Sequence, residues 1–459
     1  MLLACLAAGC APLPPPYQPA LVEDGEIRLY LQPLPQKAHR ITFSIDEIAA
    51  VRQDGGSVPL EQSLTLLKAE ELISVQRLLA SGRLPPGPYK GISIRLGASS
   101  LLGEAGPAAL LVPEEPLFVE GAFTVTRRRA STLFLSLDPE TLVSGGYRFD
   151  PVFALAKPER QLRTLLGFAT NSGSNTVSVF NKFTMQVVDT IATSSGPKGA
   201  VLDQGRGWVY VAIAGDDAVQ AIDVNTGEIL RRARLNFGDE PLELGLSPDG
   251  EILVTANRGS NSASILDAAT LVETGRVSLP SEPLWVVTDT VRPRAYLLQP
   301  VSNTISVIDL TRRELVATRT LDETPMKGAI SRDGSSLYVI TGNSPNLLVV
   351  DPKDLDITSR IFVGTGAASI KVDPKSELVY VGNRTGNIDI VDPSVLMPIG
   401  RFRVSGNVAF LGIDNDTNSL FAVLPDSHRI QQMDLVSQEV SGVVEVEEGC
   451  HAVVLMRER

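Results

Sequence analysis

The sequence predicts an all-β protein in which a seven-bladed β-propeller follows a smaller β-sandwich domain that contains one short helix. The main observation is a short apolar run that ends in Asp or Asn and recurs along the last two-thirds of the chain. Its seven copies end at Asn181, Asp223, Asp267, Asp309, Asp351, Asp392 and Asp434. These residues are 42, 44, 42, 42, 41 and 42 positions apart. A period of about 40 to 45 residues with several strands per period is typical of propeller blades.

Each period contains four strand-like runs. A Tyr/Val-rich run such as WVYVA (Trp208–Ala212) precedes the Asp-ended run, and an outer run such as VVDTIA (Val187–Ala192) follows it. An inner run, such as PKGAVLD from Pro197, comes after a Gly/Pro loop. Alternating apolar residues, β-branched residues and flanking Gly, Pro, Asn and Asp indicate strands rather than helices. Radial packing of such sheets buries both faces of each blade.

The phase of the repeat predicts how the ring closes. The first Tyr/Val-rich run, LLGFAT (Leu165–Thr170), has no inner run directly before it. The last run, CHAVVLM (Cys450–Met456), is an inner run without a blade of its own. We therefore expect Cys450–Met456 to pair beside Leu165–Thr170, which completes blade 1 and removes an exposed sheet edge.

Two Tyr/Val-rich runs, LVTAN (Leu253–Asn257) and LYVIT (Leu337–Thr341), resemble the namesake strand of the YVTN-type bacterial propeller family. The resemblance covers about residues 163–459 and implies a propeller fold. It does not imply one activity, because the wider superfamily includes surface-layer and adhesion-like proteins, cofactor-bearing reductases and relatives of lactonases.

The chain carries 41 Lys and Arg residues against 53 Asp and Glu residues, a formal net charge of −12. Nucleic-acid binding normally requires a basic surface that releases counterions from phosphates. The charge balance therefore argues against a nucleic-acid partner.

The N-terminal sequence MLLACLAAGC resembles the end of a lipoprotein signal peptide, with Ala7-Ala8-Gly9-Cys10 as the lipobox and Cys10 as the lipidated residue. By the same resemblance, Ala11 lacks the Asp that retains lipoproteins in the inner membrane, so the outer membrane is the expected location. The alternative is an ordinary apolar N-terminus of a cytosolic protein. With Cys5 removed and Cys10 acylated, Cys450 has no partner, so we expect no disulfide.

The region before the propeller lacks the 42-residue period. An apolar face over Lys68–Ala80 predicts one helix, and several short strand-like runs predict a sandwich. LPPGPYKGISIRL (Leu84–Leu96) and YRFDPVFAL (Tyr147–Leu155) resemble elements of a β-sandwich family of unknown function in bacterial lipoproteins. The predicted organisation is a signal remnant (1–9), a Pro-rich tether (10–25), a β-sandwich (26–155), a linker (156–163) and the propeller (164–459).

The repeat also predicts a functional face. Antiparallel strands place the loops before the inner strands and the loops after the Tyr/Val-rich strands on the same face, at the channel mouth. The first set brings together residues that differ in type from blade to blade: Lys198, Glu243, Trp285, Lys327, Ser369, Phe410 and His451. The second set contributes Arg258 and Arg384. The repeated Asp residues, in contrast, are expected to cap turns. Variation against a repeated background indicates either a specialised binding surface or drift.

No cofactor or metal site is predicted. The repeat places both His428 and His451 in blade 7 on this face, where Cys450 or Asp426 could complete a metal site, but no ligand spacing is diagnostic. The sequence contains no CxxCH, P-loop, GxSxG or HExxH motif.

The resulting hypothesis is a non-enzymatic, lipid-anchored protein of the cell envelope whose channel-mouth face binds a protein or a glycan. One alternative is a hydrolase of the lactonase type with Glu243 as base, although Lys198 and Lys327 are expected to keep Glu243 ionised. Another is a cofactor-free subunit that docks in an envelope redox complex.

Overall fold

The computed structural model describes residues 20–34, 38, 40–73, 75–104, 106–138, 142–159, 161–414 and 416–458. The proposed signal remnant, Cys10 and most of the tether lie outside the described residues. None of the helices among the described residues is long and apolar enough to span a bilayer.

The N-terminal region forms two large sheets around one cluster of buried side chains that includes Ile27, Phe43, Leu79 and Ile92, and its residues 143–149 form a separate two-stranded sheet. One sheet has the order β13-β10-β1-β6-β4; the other has the order β3-β2-β7-β8, with β5 beside β2 and β9 beside β7. The strands are β1 (Gly25–Leu31), β2 (Ile41–Arg52), β3 (Ser57–Pro59), β4 (Glu61–Gln62), β5 (Leu66–Lys68), β6 (Arg77–Leu84), β7 (Gly87–Gly103), β8 (Gly106–Leu110), β9 (Leu117–Val125), β10 (Ala130–Leu137), β11 (Val143–Ser144), β12 (Arg148–Phe149) and β13 (Phe153–Ala156).

The predicted helix over Lys68–Ala80 is wrong. Lys68 ends β5, a three-residue 3-10 helix covers Ala69–Glu71, and β6 begins at Arg77. β6 pairs antiparallel with β1, which buries Leu79 and Ala80 completely. The pairing with β1 therefore outweighs the local helical pattern, because intrinsic helix propensity is a weak determinant where tertiary contacts oppose it.

The propeller consists of seven four-stranded sheets within the described part of the chain. Its strands are β14 (Leu166–Asn171), β15 (Thr176–Asn181), β16 (Gln186–Ala192), β17 (Pro197–Asp203), β18 (Trp208–Ile213), β19 (Ala218–Asp223), β20 (Ile229–Arg234), β21 (Pro241–Leu246), β22 (Ile252–Asn257), β23 (Ser262–Asp267), β24 (Glu273–Ser278), β25 (Trp285–Thr288), β26 (Arg294–Gln299), β27 (Thr304–Asp309), β28 (Glu314–Thr320), β29 (Pro325–Ile330), β30 (Leu337–Thr341), β31 (Asn346–Val350), β32 (Ile357–Phe362), β33 (Ala367–Val372), β34 (Val379–Asn383), β35 (Asn387–Asp392), β36 (Met397–Arg403), β37 (Phe410–Asp414), β38 (Ser419–Leu424), β39 (Arg429–Asp434), β40 (Val440–Glu445) and β41 (Cys450–Leu455). Short 3-10 helices cover Arg163–Leu165, Ala214–Asp216 and Pro425–Ser427.

Blade 1 combines β41 with β14, β15 and β16, and blades 2 to 7 follow as consecutive groups of four strands, from β17–β20 to β37–β40. The inner strands β17, β21, β25, β29, β33, β37 and β41 each contact the next, and β41 contacts β17, so the ring is closed. The predicted closure is confirmed, because β41 runs antiparallel to β14 with Phe168 opposite Val454.

A buried ion pair lies at the seam between blades 1 and 7. The Lys182 ammonium of blade 1 lies 2.6 Å from Asp414 at the end of β37, and both side chains are almost fully buried. Lys182 Nζ also donates a hydrogen bond of 2.6 Å to the Met456 carbonyl, directly after β41. This cation therefore links the inner strand of the last blade to the strand that completes the first.

The repeated Asp residues cap turns, as the repeat predicts. In blade 2, Asp223 Oδ1 accepts backbone N–H bonds of 2.8 Å from Asn225 and 2.9 Å from Thr226. Hydrogen bonds from the following turn likewise hold the pKa of Asp434 below its usual value. These carboxylates are structural.

The sandwich packs against the outer side of blades 1 and 7. Arg28 of β1 is buried and pairs with Glu447, in the loop between β40 and β41, at 2.8 Å. The side-chain amide of Gln76 bonds both the N–H and the carbonyl of Val187 in β16, at 2.8 and 3.2 Å. The amide thus pairs with the outer edge of blade 1 much as a neighbouring strand would.

Candidate binding site at the channel mouth

The seven side chains predicted at the channel mouth lie at one level of the ring. In five blades, the predicted residue of the inner strand lies opposite the penultimate residue of the Tyr/Val-rich strand that follows it. These pairs are Glu243 with Ala256, Trp285 with Leu298, Lys327 with Ile340, Ser369 with Gly382, and Phe410 with Val423. In blades 2 and 1, the strand pairing is interrupted at Lys198 and His451, but both residues lie at the same level, beside the penultimate residue of the adjacent strand. The shared register brings the residues into one layer, which we call the mouth ring.

Irregular register is common in this layer. The pairing shifts at Lys198, Glu243, Lys327, Ser369 and His451. A bulge inserts one residue and redirects the side chain at that point, and such features often lie near functional sites. The mouth ring therefore differs locally from the regular sheets below it.

Two aromatic side chains meet across the ring. Trp285 extends from blade 4 and Phe410 from blade 7, and their ring centroids are 5.9 Å apart with an interplanar angle of 52°. Trp285 Nε1 donates a hydrogen bond of 2.9 Å to the carbonyl of Gly328 in blade 5. Both rings are half-buried. The aromatic pair therefore narrows the channel at this level while keeping part of each ring accessible.

Lys327, which belongs to blade 5, lies close to both rings of this aromatic pair. Its Nζ lies 4.6 Å from the centroid of the Trp285 ring and 6.0 Å from that of Phe410. It also donates a hydrogen bond of 2.7 Å to the Ala409 carbonyl in the loop before β37. An ammonium over an aromatic face is attracted by the quadrupole of the ring. The cation and both rings thus form one fixed group, defined by contacts among three blades.

Glu243 is the most buried charged residue of the ring. Only 4% of its surface is exposed, and its Oε2 has no hydrogen-bond partner among the described residues. It packs against Gly199 of blade 2, where an added Cβ would lie only 2.4 Å from Glu243 Oε1. A side chain at position 199 would therefore displace the carboxyl group.

The expectation that neighbouring lysines keep Glu243 ionised is not supported. Burial raises the pKa of Glu243 to about 8, and the opposing effect of the Lys327 charge is smaller. Burial also lowers the pKa of Lys327 to about 8, although Glu243 opposes that change. The physical reason is that the loss of hydration penalises each charge more than its partner compensates.

Two further basic groups complete the mouth ring. Burial, followed by the charge of Arg258, lowers the pKa of Lys198, whose Nζ lies 3.3 Å from Ser172 Oγ. Burial and the charges of Lys198 and Lys327 lower the pKa of His451 well below its usual value. His451 is therefore neutral near pH 7.

The two predicted arginines lie at the edge of this arrangement. Arg258 forms an ion pair with Glu240 at 2.6 Å and is half-buried. Arg384 is exposed in the turn after β34. The structure thus places all seven residues predicted from the inner-strand loops in one layer and leaves both arginines outside it.

The histidines do not share a blade. His428 precedes β39 in blade 7, in a left-handed backbone conformation, whereas His451 belongs to β41 in blade 1. The assignment of both to blade 7 is wrong, because β41 completes blade 1. Cys450 is a buried free thiol, and burial raises its pKa to about 12. Over the described ranges, no group of three His, Cys, Asp or Glu residues could hold a metal.

Sequence reasoning missed two cavities. One of about 680 Å³ lies at the opposite end of the channel and is lined by Ile330, Lys371 and Val372, among others. Another of about 460 Å³ lies between the sandwich and blades 1 and 2, with Phe123 and Phe168 in its wall. Each is formed by residues from separate strands or domains. No local sequence motif therefore predicts either cavity.

Comparison with known proteins places the fold in a family. A family model described as YNCE-like beta-propeller matches residues 163–453. A search of curated proteins finds no match. Among solved structures, hydrazine synthase from Kuenenia stuttgartiensis is 17% identical, with a TM-score of 0.51 over 56% of this chain and 88% of that chain. A functionally unknown protein from Desulfotomaculum acetoxidans DSM 771 is 12% identical, with a TM-score of 0.57 over 64% of this chain and 99% of that chain. At these identities the likenesses concern the fold alone. The matched family covers more than half of the chain, which therefore belongs to the YNCE-like β-propeller family.

Proposed function

We propose that this protein is a lipid-anchored, non-enzymatic component of the bacterial cell envelope, and that the mouth ring binds a protein or glycan partner. The observation that carries the binding role is the group formed by Trp285, Phe410 and Lys327. A half-buried aromatic pair beside fixed charges is the composition from which binding hot spots are drawn.

The fixed geometry of this group supports the same role. Hydrogen bonds from Trp285 to Gly328 and from Lys327 to Ala409 restrain both side chains before any ligand arrives. Restraint of this kind reduces the entropy lost on binding. A preorganised centre surrounded by loops is suited to recognition of a partner.

Capture of partners by variants tests the binding role. The double variant Trp285→Ala/Phe410→Ala should lose a partner that the wild-type protein retains during isolation from solubilised membranes. The matched control is Phe183→Ala/Val436→Ala, which removes two exposed apolar side chains from turns at the opposite face. The control should retain the partner. Equal retention by a folded mouth-ring variant would contradict the proposal.

The lipid anchor rests on the AAGC sequence that ends at Cys10. Intact-mass measurement of the membrane-extracted protein should show loss of residues 1–9 and the addition of acyl chains. Cys10→Ser should abolish the acyl mass. An Ala11→Asp variant should move from the outer to the inner membrane. Retention of Met1 without acylation would contradict the anchor.

A second candidate function, hydrolysis, is favoured by one observation. With a pKa of about 8, Glu243 carries a proton near neutral pH and is a suitable general acid. Hydrolysis of simple lactones and esters should be assayed with the wild type and with Glu243→Gln. Turnover that disappears in Glu243→Gln, with the fold retained, would favour this candidate over a purely binding role.

A further inference from the structure

The mouth ring places several hydrogen-bond donors around one buried acid. Lys198, Lys327 and His451 share its level, and the charges of both lysines act on His451. One N–H of Lys327 is used by Ala409, and an ammonium has three. The ring therefore combines two lysines with a single carboxyl group, an excess of basic groups that favours an anionic ligand.

Glu243 supplies a second, independent observation. Its side chain is more than nine-tenths buried, and its Oε2 has no hydrogen-bond partner in the described part of the chain. A buried polar atom left without a partner is costly and requires an explanation, such as a ligand that occupies the adjacent position. The other oxygen, Oε1, lies against Gly199 of blade 2, and a ligand in the channel could supply the missing partner of Oε2.

We propose that the mouth ring recognises the carboxylate of an acidic sugar, such as a uronate at the end of a glycan. This inference rests on the proposed binding role of the ring and specifies its ligand. The carboxylate would accept hydrogen bonds from Lys198 and Lys327, and the carboxylic acid form of Glu243 would donate a third. The apolar face of the sugar would lie against the accessible parts of Trp285 and Phe410.

Three observations favour a sugar over a peptide. The site is compact, because Trp285 of blade 4 and Phe410 of blade 7 meet 5.9 Å apart across the channel. Aromatic rings suit the apolar face of a pyranose. Neutral His451 provides one donor and one acceptor, and Ser369 Oγ can accept while it donates to the Val408 carbonyl at 2.7 Å. Hydroxyl groups of a sugar match such mixed partners.

Calorimetric titration of the full-length protein with glucuronate, glucose and glutamate tests this ligand. Glucuronate should bind at least about tenfold more tightly than glucose or glutamate, because only it combines a sugar ring with a carboxylate. Lys327→Met should weaken glucuronate binding by about tenfold or more. The matched control Lys371→Met, at the opposite end of the channel, should leave binding unchanged.

Each alternative result has a defined meaning. Equal binding of glucose and glucuronate would overturn the carboxylate assignment, and equal binding of glutamate would overturn the sugar assignment. Absence of glucuronate binding, together with normal partner capture by Lys327→Met, would overturn this inference alone. The binding role itself would fail only if Trp285→Ala/Phe410→Ala also captured the partner normally.

Discussion

Trp285 in blade 4 and Phe410 in blade 7 are three blades apart in one direction around the ring and four in the other, yet their ring centroids lie 5.9 Å from each other. In a ring of seven, no two blades are further from each other than blades 4 and 7. The contact therefore crosses the channel, and side chains from opposite walls narrow it at the level of the mouth ring. Lys327 lies over both rings and adds a cation to the same contact.

This contact predicts energetic coupling between the two residues. A double-mutant cycle of Trp285→Ala and Phe410→Ala should give a coupling of about 0.5–1.5 kcal/mol in the free energy of unfolding. Denaturant unfolding of the four proteins measures it. Repeating the cycle with Lys327→Met separates ring–ring attraction from the effect of the cation. Simple additivity of the two substitutions would show that the rings do not stabilise each other.

The buried acid predicts a pH-dependent stability. The pKa of Glu243 is raised from 4.5 to about 8 in the folded protein, so the folded state binds more protons than the unfolded state between these values. The contribution of Glu243 to stability must therefore fall as pH rises from about 5 to 8. Lys327, whose charge acts on Glu243, and the other basic residues of the mouth ring, Lys198 and His451, remain in both proteins when Glu243→Gln is compared with the wild type.

Urea unfolding at pH 5, 6.5 and 8 measures this difference. Relative to the wild type, Glu243→Gln should become progressively more stable as pH rises over this range. The pKa of Lys327 is lowered to about 8 in the folded protein, so its contribution makes stability rise with pH. This contribution changes mainly above pH 8. A constant difference between the two proteins at all three pH values would indicate that Glu243 titrates normally.

The buried pair at the seam predicts a large effect of a single substitution. Lys182→Met leaves Asp414 buried without its cation and should cost about 3–5 kcal/mol of stability. Lys182→Met/Asp414→Asn, which removes both charges, should be less destabilised than the single variant. Arg319→Met, which breaks an exposed pair with Asp356, serves as control and should change stability by less than about 1 kcal/mol. Denaturant midpoints compare the three variants with the wild-type protein.

The repeat was sufficient to predict the propeller, because a 42-residue period and its phase define blades and their closure. It also predicted which residues share the mouth ring, since register follows from alignment of the repeats. The sequence predicts that Trp285 and Phe410 converge at the mouth, but the period does not reveal how far side chains reach across a ring, and so it does not predict their direct contact. Burial is equally hidden from the sequence: desolvation raises the pKa of Glu243 against the opposing charge of Lys327 and so disfavours the ionised form that the neighbouring lysines predict.

The N-terminal region, which has no repeat, was predicted less accurately than the propeller. Its apolar residues at Lys68–Ala80 satisfy a helical pattern, but β6 obtains its stability from pairing with β1, about 50 residues earlier in the chain. Without a repeat to average over, a single short segment gives an ambiguous pattern. The cavity of about 460 Å³ between the sandwich and the propeller also depends on packing between residues far apart in the chain, which explains why no sequence motif predicted it.

Ring closure by β41 gives the strongest stability prediction. Deletion of Cys450–Arg459 removes the inner strand of blade 1, including the buried residues Val453 and Leu455, and the carbonyl of Met456 that binds Lys182. Burial of each large aliphatic side chain contributes about 1.5–3 kcal/mol, and the net stability of a domain is only about 5–15 kcal/mol. We therefore expect the truncated chain to lose cooperative thermal unfolding.

Two further measurements identify the strand as the cause. Deletion of Arg457–Arg459 alone keeps β41 and should lower the melting temperature only modestly, through loss of contacts such as that between Lys371 and Glu458. A synthetic peptide of residues 450–459, added to the longer truncation, should restore a cooperative transition, because it can pair with β14 at the open edge. A longer truncation that melts like the full chain, with or without peptide, would show that β41 does not hold the ring closed.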